Sequence, residues 1–148
     1  MPDPTTWTFL TQILAAFALS LPTALERERA TRTLGLRTFP LVSVASCGYV
    51  LLAIEVMGAH PDGQSRILAG LMTGMGFIGG GAILKQGDGV RGTATAASLW
   101  TMGVVGAAVA YERYGIAIVI SLINFLTLGI LTRVERRFGK RDAHLGDS

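Results

Sequence analysis

Cysteine and histidine, the side chains most used for nucleophilic and metal chemistry, are nearly missing: the 148 residues contain one cysteine, Cys47, and two histidines, His60 and His144. A lone thiol cannot close a disulfide within the chain, and Cys47, in the middle of an apolar run, reads as a small packing residue. Two histidines, one in a loop and one near the C-terminus, leave no Ser/His/Asp or Cys/His set, so no enzyme and no cofactor are expected. Charge is also sparse, at 16% of positions, and it gathers between apolar runs. Glu55 is the only acidic residue inside those runs, and it lies two residues from the end of its run, where it can reach an interface or Arg66. No Lys or Arg precedes Trp7, and Asp3 is acidic, so the first run is not expected to be a cleavable signal peptide.

Hydrophobic residues make up 50% of the chain, which places it among integral membrane proteins. A membrane helix needs roughly 20 apolar residues, with about 17 as the lower limit. Five stretches qualify: Trp7–Leu25, Thr38–Met57, Ile67–Leu84, Thr93–Ala110 and Gly115–Leu131. The expected fold is all-α, a bundle of five transmembrane helices forming one domain over residues 1–134, followed by a short basic cytoplasmic tail at 135–148. Arg27, Arg29, Arg32, Arg37, Lys85, Arg91, Arg133, Arg136, Arg137, Lys140 and Arg141 then share one side, against Arg66 and Arg113 on the other. The positive-inside bias puts the N-terminus outside and the C-terminus in the cytoplasm. Basic residues beside a bilayer are attracted to anionic headgroups at about 1 kcal/mol each, so the net charge of +3 calls for a lipid bilayer and no nucleic acid.

The most constrained stretch is 66–100. Gly74-Met-Gly76-Phe-Ile-Gly79 spells G-x-G-x-x-G, but it lies inside an apolar run with no acidic residue about 20 positions on, so a dinucleotide site is not expected. Gly70/Gly74 and Gly76/Gly80 are spaced four apart, the arrangement that lets membrane helices bring their backbones together. Three consecutive glycines, Gly79, Gly80 and Gly81, each weaken a helix by roughly 1 kcal/mol relative to Ala, so the third helix is either bent or broken there, or packed closely, or both. This glycine face is expected to be the main self-association surface, offering close contact that no other helix offers.

Pro22 lacks an N–H and is expected to kink the first helix, leaving the Ala18 carbonyl in need of another donor. Glu26, Arg27 and Glu28 follow it, and Arg37 and Arg91 reach the same side. Either these are solvated helix ends, with a Glu28/Arg32 pair worth about 0.3–0.5 kcal/mol, or they form a cytoplasmic charge cluster in which Arg91 pairs with Glu26 or Glu28. Thr93 is the candidate N-cap of the fourth helix. Thr95, Ser98, Trp100 and Asn124 are the intramembrane polar candidates: Trp100 is expected inside, with its indole N–H seeking a partner, and Asn124, with Ser121 and Thr127, forms a polar stripe.

Leu25-Glu26-Arg27-Glu28, Gly35-Leu36-Arg37-Thr38, Gly74-Met-Gly76-Phe-Ile-Gly79-Gly80-Gly81-Ala-Ile and Val90-Arg91-Gly92-Thr93-Ala-Thr95-Ala-Ala-Ser98-Leu-Trp100 occur in this order and together resemble the MgtC/SapB family of bacterial membrane proteins. The likeness covers roughly residues 10–130. It implies a five-helix inner-membrane domain linked to survival under magnesium limitation and, for some members, to modulation of another membrane machine such as the ATP synthase. The chain is expected to be a short form, with the membrane domain and without the C-terminal cytoplasmic domain. A regulatory or interaction protein, a homo-oligomer with a dimer first, is one reading. The alternative is a small ion transporter or channel with a path near helices three to five, although Mg²⁺ is usually held by carboxylates and none is expected at mid-membrane. No metal ligands are assigned.

Overall fold

The computed structural model describes residues 4–31, 35–58, 60–86 and 89–145. Five helices follow in order: α1 Pro4–Thr31, α2 Thr38–Met57, α3 Pro61–Gly81, α4 Thr93–Ala110 and α5 Tyr114–Leu145. Between α3 and α4 lies a short antiparallel hairpin, β1 Leu84–Gln86 with β2 Gly89–Arg91, in which Leu84 faces Arg91 and Lys85 faces Val90. By length and composition three segments can cross a membrane, Thr5–Ala30, Thr38–Met57 and Thr93–Ala110, while Tyr114–Ile130 is a shorter apolar helix.

α1 and α5, and α3 at its start, extend beyond the apolar runs because their ends obey capping and propensity rather than hydropathy. Pro61 takes the first turn of α3, where its missing N–H is harmless, and Asp62 complements the positive end of the helix dipole. α3 thus starts before Ile67. It then runs unbroken to Gly81, so the glycine triplet forms the last turn of the helix instead of interrupting it, and Leu84, the expected end of the span, belongs to the hairpin. α1 continues through Pro22 into the Glu/Arg segment, and α5 continues well past Leu131.

α4 is the hub and packs against all four other helices, whereas α3 packs chiefly against α4 and α2. Its position follows from its residues: besides Thr95 and Ser98, the buried side of α4 is made of Ala96, Leu99, Met102, Gly103, Val105, Gly106, Ala107, Val109 and Ala110, mostly small groups that neighbours can approach closely. A Cβ on Gly106 would fall on the Ser43 carbonyl oxygen of α2, and one on Gly103 would lie 2.9 Å from Met75 Cγ of α3. The core closes with Phe39, Val50, Met102, Val105 and Val109, all fully buried. α3 contributes only Met75 and Gly79 to the buried set.

Candidate functional site

The polar residues of α1 lie on its inward face. Gln12, Ser20, Thr23 and Arg27 are all buried, at spacings that keep them on one side of a 3.6-residue helix. In lipid such groups must find partners within the protein, and most do. Gln12 Nε2 donates to the Ala110 carbonyl of α4 at 3.4 Å, and Ser43 of α2 donates to the Ala16 carbonyl at 2.9 Å. Ser121 of α5 donates to the Leu19 carbonyl at 2.5 Å, and Ser20 to the Phe17 carbonyl at 2.6 Å. Hydroxyl donors thus gather on the carbonyls one turn before Pro22, though the bonds fall beside Ala18 rather than on it. Ser98 Oγ of α4 donates to Asn124 Oδ1 of α5 at 3.0 Å, joining two of the expected polar residues.

At one end of this seam Arg27, only 6% exposed, donates from Nη1 to Thr95 Oγ1 in the first turn of α4 at 3.0 Å. Arg27 is therefore the buried cation of the charge group, while Arg37 and Arg91 are exposed. The expected pairing of Arg91 with Glu26 or Glu28 is not made. Arg91 is held on β2, and the half-buried Glu28 instead accepts the Leu36 N–H at 3.2 Å, clamping the turn into α2. Gly35 allows this, because a Cβ there would lie 2.6 Å from Glu28 Oε2. Glu26 turns toward α5, with its carboxyl carbon 3.9 Å from where a Cβ of Gly129 would be. The N-cap of α4 is Gly92 rather than Thr93: its φ of 90° is left-handed, and a Cβ would fall on the Ala82 carbonyl oxygen, so only glycine fits.

Trp100 is not interior. It is 43% exposed and lines a groove of about 180 Å³ between α3 and α4, with Leu68, Met72, Met75 and Val104. Thr95 and Ser98 are buried and Asn124 is half-buried, as a polar seam between helices requires. Asn124 and Ser98 also line a groove of about 340 Å³ along α4 and α5, with Thr101 and Thr127.

The glycines divide sharply. Gly70, Gly74, Gly76, Gly80 and Gly81 of α3 have nothing within 4 Å of an added Cβ, while Gly79 meets the Ala96 carbonyl oxygen of α4 at 3.3 Å. Besides Gly63 at the start of α3, where a Cβ would lie 2.8 Å from Met57 Sδ, the tight helix contacts are made by Gly103 and Gly106 of α4, which sequence reasoning missed, so the notion that only the third helix offers close contact is corrected. Their signal was present as a small-residue pair in an alanine-rich run, but it was weaker than the glycine density of α3. The outward face of α3 carries Asp62, Arg66, Gly70, Gly74 and Phe77, and Phe77 is 86% exposed. A groove of about 560 Å³ runs along Gly70 and Gly74 between Arg66, Phe77 and Tyr49 of α2. Among the described residues no group of three His, Cys, Asp or Glu side chains is placed to hold a metal ion.

A helical bundle with apolar spans and an inward seam of hydroxyl-to-carbonyl bonds defines a membrane protein. The chain belongs to the MgtC family, whose profile matches residues 13–137. It is 34% identical over 125 residues to Protein MgtC of Salmonella typhimurium, a match covering 84% of this chain and 52% of that one. It is 38% identical over 97 residues to an uncharacterized Synechocystis protein, covering 66% and 41% respectively. Against the putative magnesium transporter YhiD of Escherichia coli the identity is 30% over 142 residues, covering 90% and 64%. The chain thus spans about half the length of the curated relatives it matches. No solved structure matches it.

Proposed function

We infer that this chain is a multi-pass bacterial inner-membrane regulator in adaptation to low magnesium, acting as a homodimer through the outward face of α3. The observation that carries this reading is the row of α3 glycines with nothing against them: five bare positions on a helix that is otherwise poorly suited to face lipid. A second copy is the occupant that fits. Asp62 and Arg66 lie one turn apart on that same exposed face, so its charged end carries one acid and one base and sets no net charge against a second copy. The N-terminus lies outside and the C-terminus inside, which gathers Arg27, Arg37 and Arg91 at the cytoplasmic end. Modulation of another inner-membrane complex, such as the ATP synthase, is the downstream step of this reading.

The test is growth of a deletion strain at limiting magnesium, complemented by the wild-type chain or by Gly70→Leu/Gly74→Leu, with cross-linking in membranes alongside. The wild type restores growth and cross-links as a pair, while the variant folds, stays single and fails to restore growth. Unimpaired growth with the variant sinks the reading, and a single wild-type chain together with impaired growth assigns the face to a different partner. Reporter fusions at Gln64 and Glu112 should report the outside and those at Gln86 and His144 the cytoplasm; a cytoplasmic N-terminus contradicts the topology.

Ion transport is the second reading. One observation favours it: Gln12 Oε1 is buried on the inward face of α1 with no hydrogen-bond partner among the described residues. The name of the Escherichia coli relative points the same way. Uptake of radiolabelled or fluorescently reported Mg²⁺ into proteoliposomes separates the readings, because a regulator gives no flux above empty vesicles.

A further inference from the structure

We propose that α1, α4 and α5 enclose a water-binding site between Thr23, Ser98 and Asn124. This site is independent of the regulatory reading. Two bonds fix the register of α1 against α4: Gln12 to Ala110 at one end and Arg27 to Thr95 at the other. The intervals are equal and the helices antiparallel, so Thr23 stands level with Leu99, beside Ser98. α5 runs parallel to α1, with Ser121 on the Leu19 carbonyl and Gly129 beside Glu26. Asn124, three residues after Ser121, therefore reaches the level of Pro22 and Thr23. Thr23 lies four residues from Leu19, which touches α5, and four from Arg27, which touches α4. Residues four apart share a helix face, so Thr23 faces the seam between those two helices.

Two buried polar atoms at this level lack partners among the described residues. Thr23 is 0% exposed and its Oγ1 makes no hydrogen bond. A threonine in a helix ordinarily donates to the carbonyl four residues back, as Thr73 does to Ala69 and Thr101 to Ala97. For Thr23 that carbonyl is Leu19, and Ser121 occupies it. On the other side, Asn124 uses Oδ1 to accept the Ser98 hydroxyl, and its Nδ2 is buried and unpartnered. One hydroxyl able to donate and accept and one amide donor then face a common region.

Buried polar groups without protein partners are the usual hosts of internal water, which needs two to four hydrogen-bonding neighbours. A water here accepts from Asn124 Nδ2, exchanges a hydrogen bond with Thr23 Oγ1 and can donate to the remaining lone pair of Ser98. The groove along α4 and α5 reaches two of the three groups, Ser98 and Asn124. A cation is disfavoured because all three groups are neutral and the buried guanidinium of Arg27 is one turn from Thr23. The consequence is a hydrated station inside the bundle at the level of the proline in α1.

Thr23→Val decides the matter by the sign of its effect, since it removes the hydroxyl and keeps the shape. With a bound water, Tm in detergent falls by about 3–6 °C, Thr23→Ser stays within about 2 °C of wild type, and Thr23→Val/Asn124→Leu falls by less than the two single changes together. A Tm that is unchanged or raised in Thr23→Val overturns the site, because removing a hydroxyl with no partner is neutral or stabilising. Strictly additive losses overturn it as well. A Tm that follows chloride against gluconate at fixed ionic strength replaces the water with a bound anion. Should Asn124→Leu fail to fold, the Thr23→Val and Thr23→Ser pair carries the test alone.

Discussion

α3 and α4 both place small residues along a helix, seven glycines in α3 against two glycines and six alanines in α4, yet the bundle treats their glycines in opposite ways. Gly103 and Gly106 of α4 lie where Met75 of α3 and the Ser43 carbonyl of α2 press against them, and no side chain fits at Gly106. Gly70, Gly74, Gly76, Gly80 and Gly81 of α3 face nothing. A glycine in a membrane helix permits close approach, but only the rest of the fold determines whether anything approaches. Glycines that are filled within the chain serve folding, and those left bare are available to something outside it.

Substitutions sharpen this contrast. The largest effect belongs to Gly106→Leu, which drives a side chain into the backbone of α2 and lowers stability by about 3 kcal/mol or more; loss of the cooperative thermal transition in detergent is the readout. Next is Thr95→Val, which deprives the buried Arg27 of one neutral acceptor. A hydrogen bond to a charged group is worth about 1.5–3 kcal/mol, and denaturant or thermal unfolding measures the loss. Comparable is Gly92→Ala, which should cost about 2–3 kcal/mol through its left-handed φ and the clash with the Ala82 carbonyl, and faster proteolysis between β2 and α4 reports it. Gly74→Ala comes last and breaks the trend: stability stays level or rises by up to about 1 kcal/mol, because alanine favours the helix and meets open space. A clear loss of stability in Gly74→Ala would mean that α3 packs more closely than it does here.

Much of the scaffold was legible because hydropathy reports helices directly. The expected bounds of the second and fourth helices are those observed, Thr38–Met57 and Thr93–Ala110. The ends of the others were missed for one physical reason: Glu, Arg and Ala continue a helix beyond the apolar run, and Pro61 with Asp62 starts α3 early. The hairpin had a signal in Gly87-Asp88, a glycine-first pair common in two-residue turns, but strands of three residues are too short to show alternation. The site was harder to read. Thr95, Ser98 and Asn124 stood out as polar groups in apolar surroundings, and the structure joins two of them. Arg27 sits in an alternating acid and base segment where nothing local distinguishes it from Arg29; its burial depends on the face α1 turns to α4. Trp100 was misplaced on the same ground, since a periodic run shows that a helix is apolar without showing which side meets α3.

The most direct measurement is a paired thermal scan of Gly74→Leu and Gly106→Leu in detergent micelles that hold one chain each, so that no second copy contributes to stability. The bare and filled glycines described above predict that Gly74→Leu melts within about 2 °C of the wild-type chain while Gly106→Leu shows no folded transition. Equal losses for the two variants, or a folded Gly106→Leu beside an unfolded Gly74→Leu, would contradict the account.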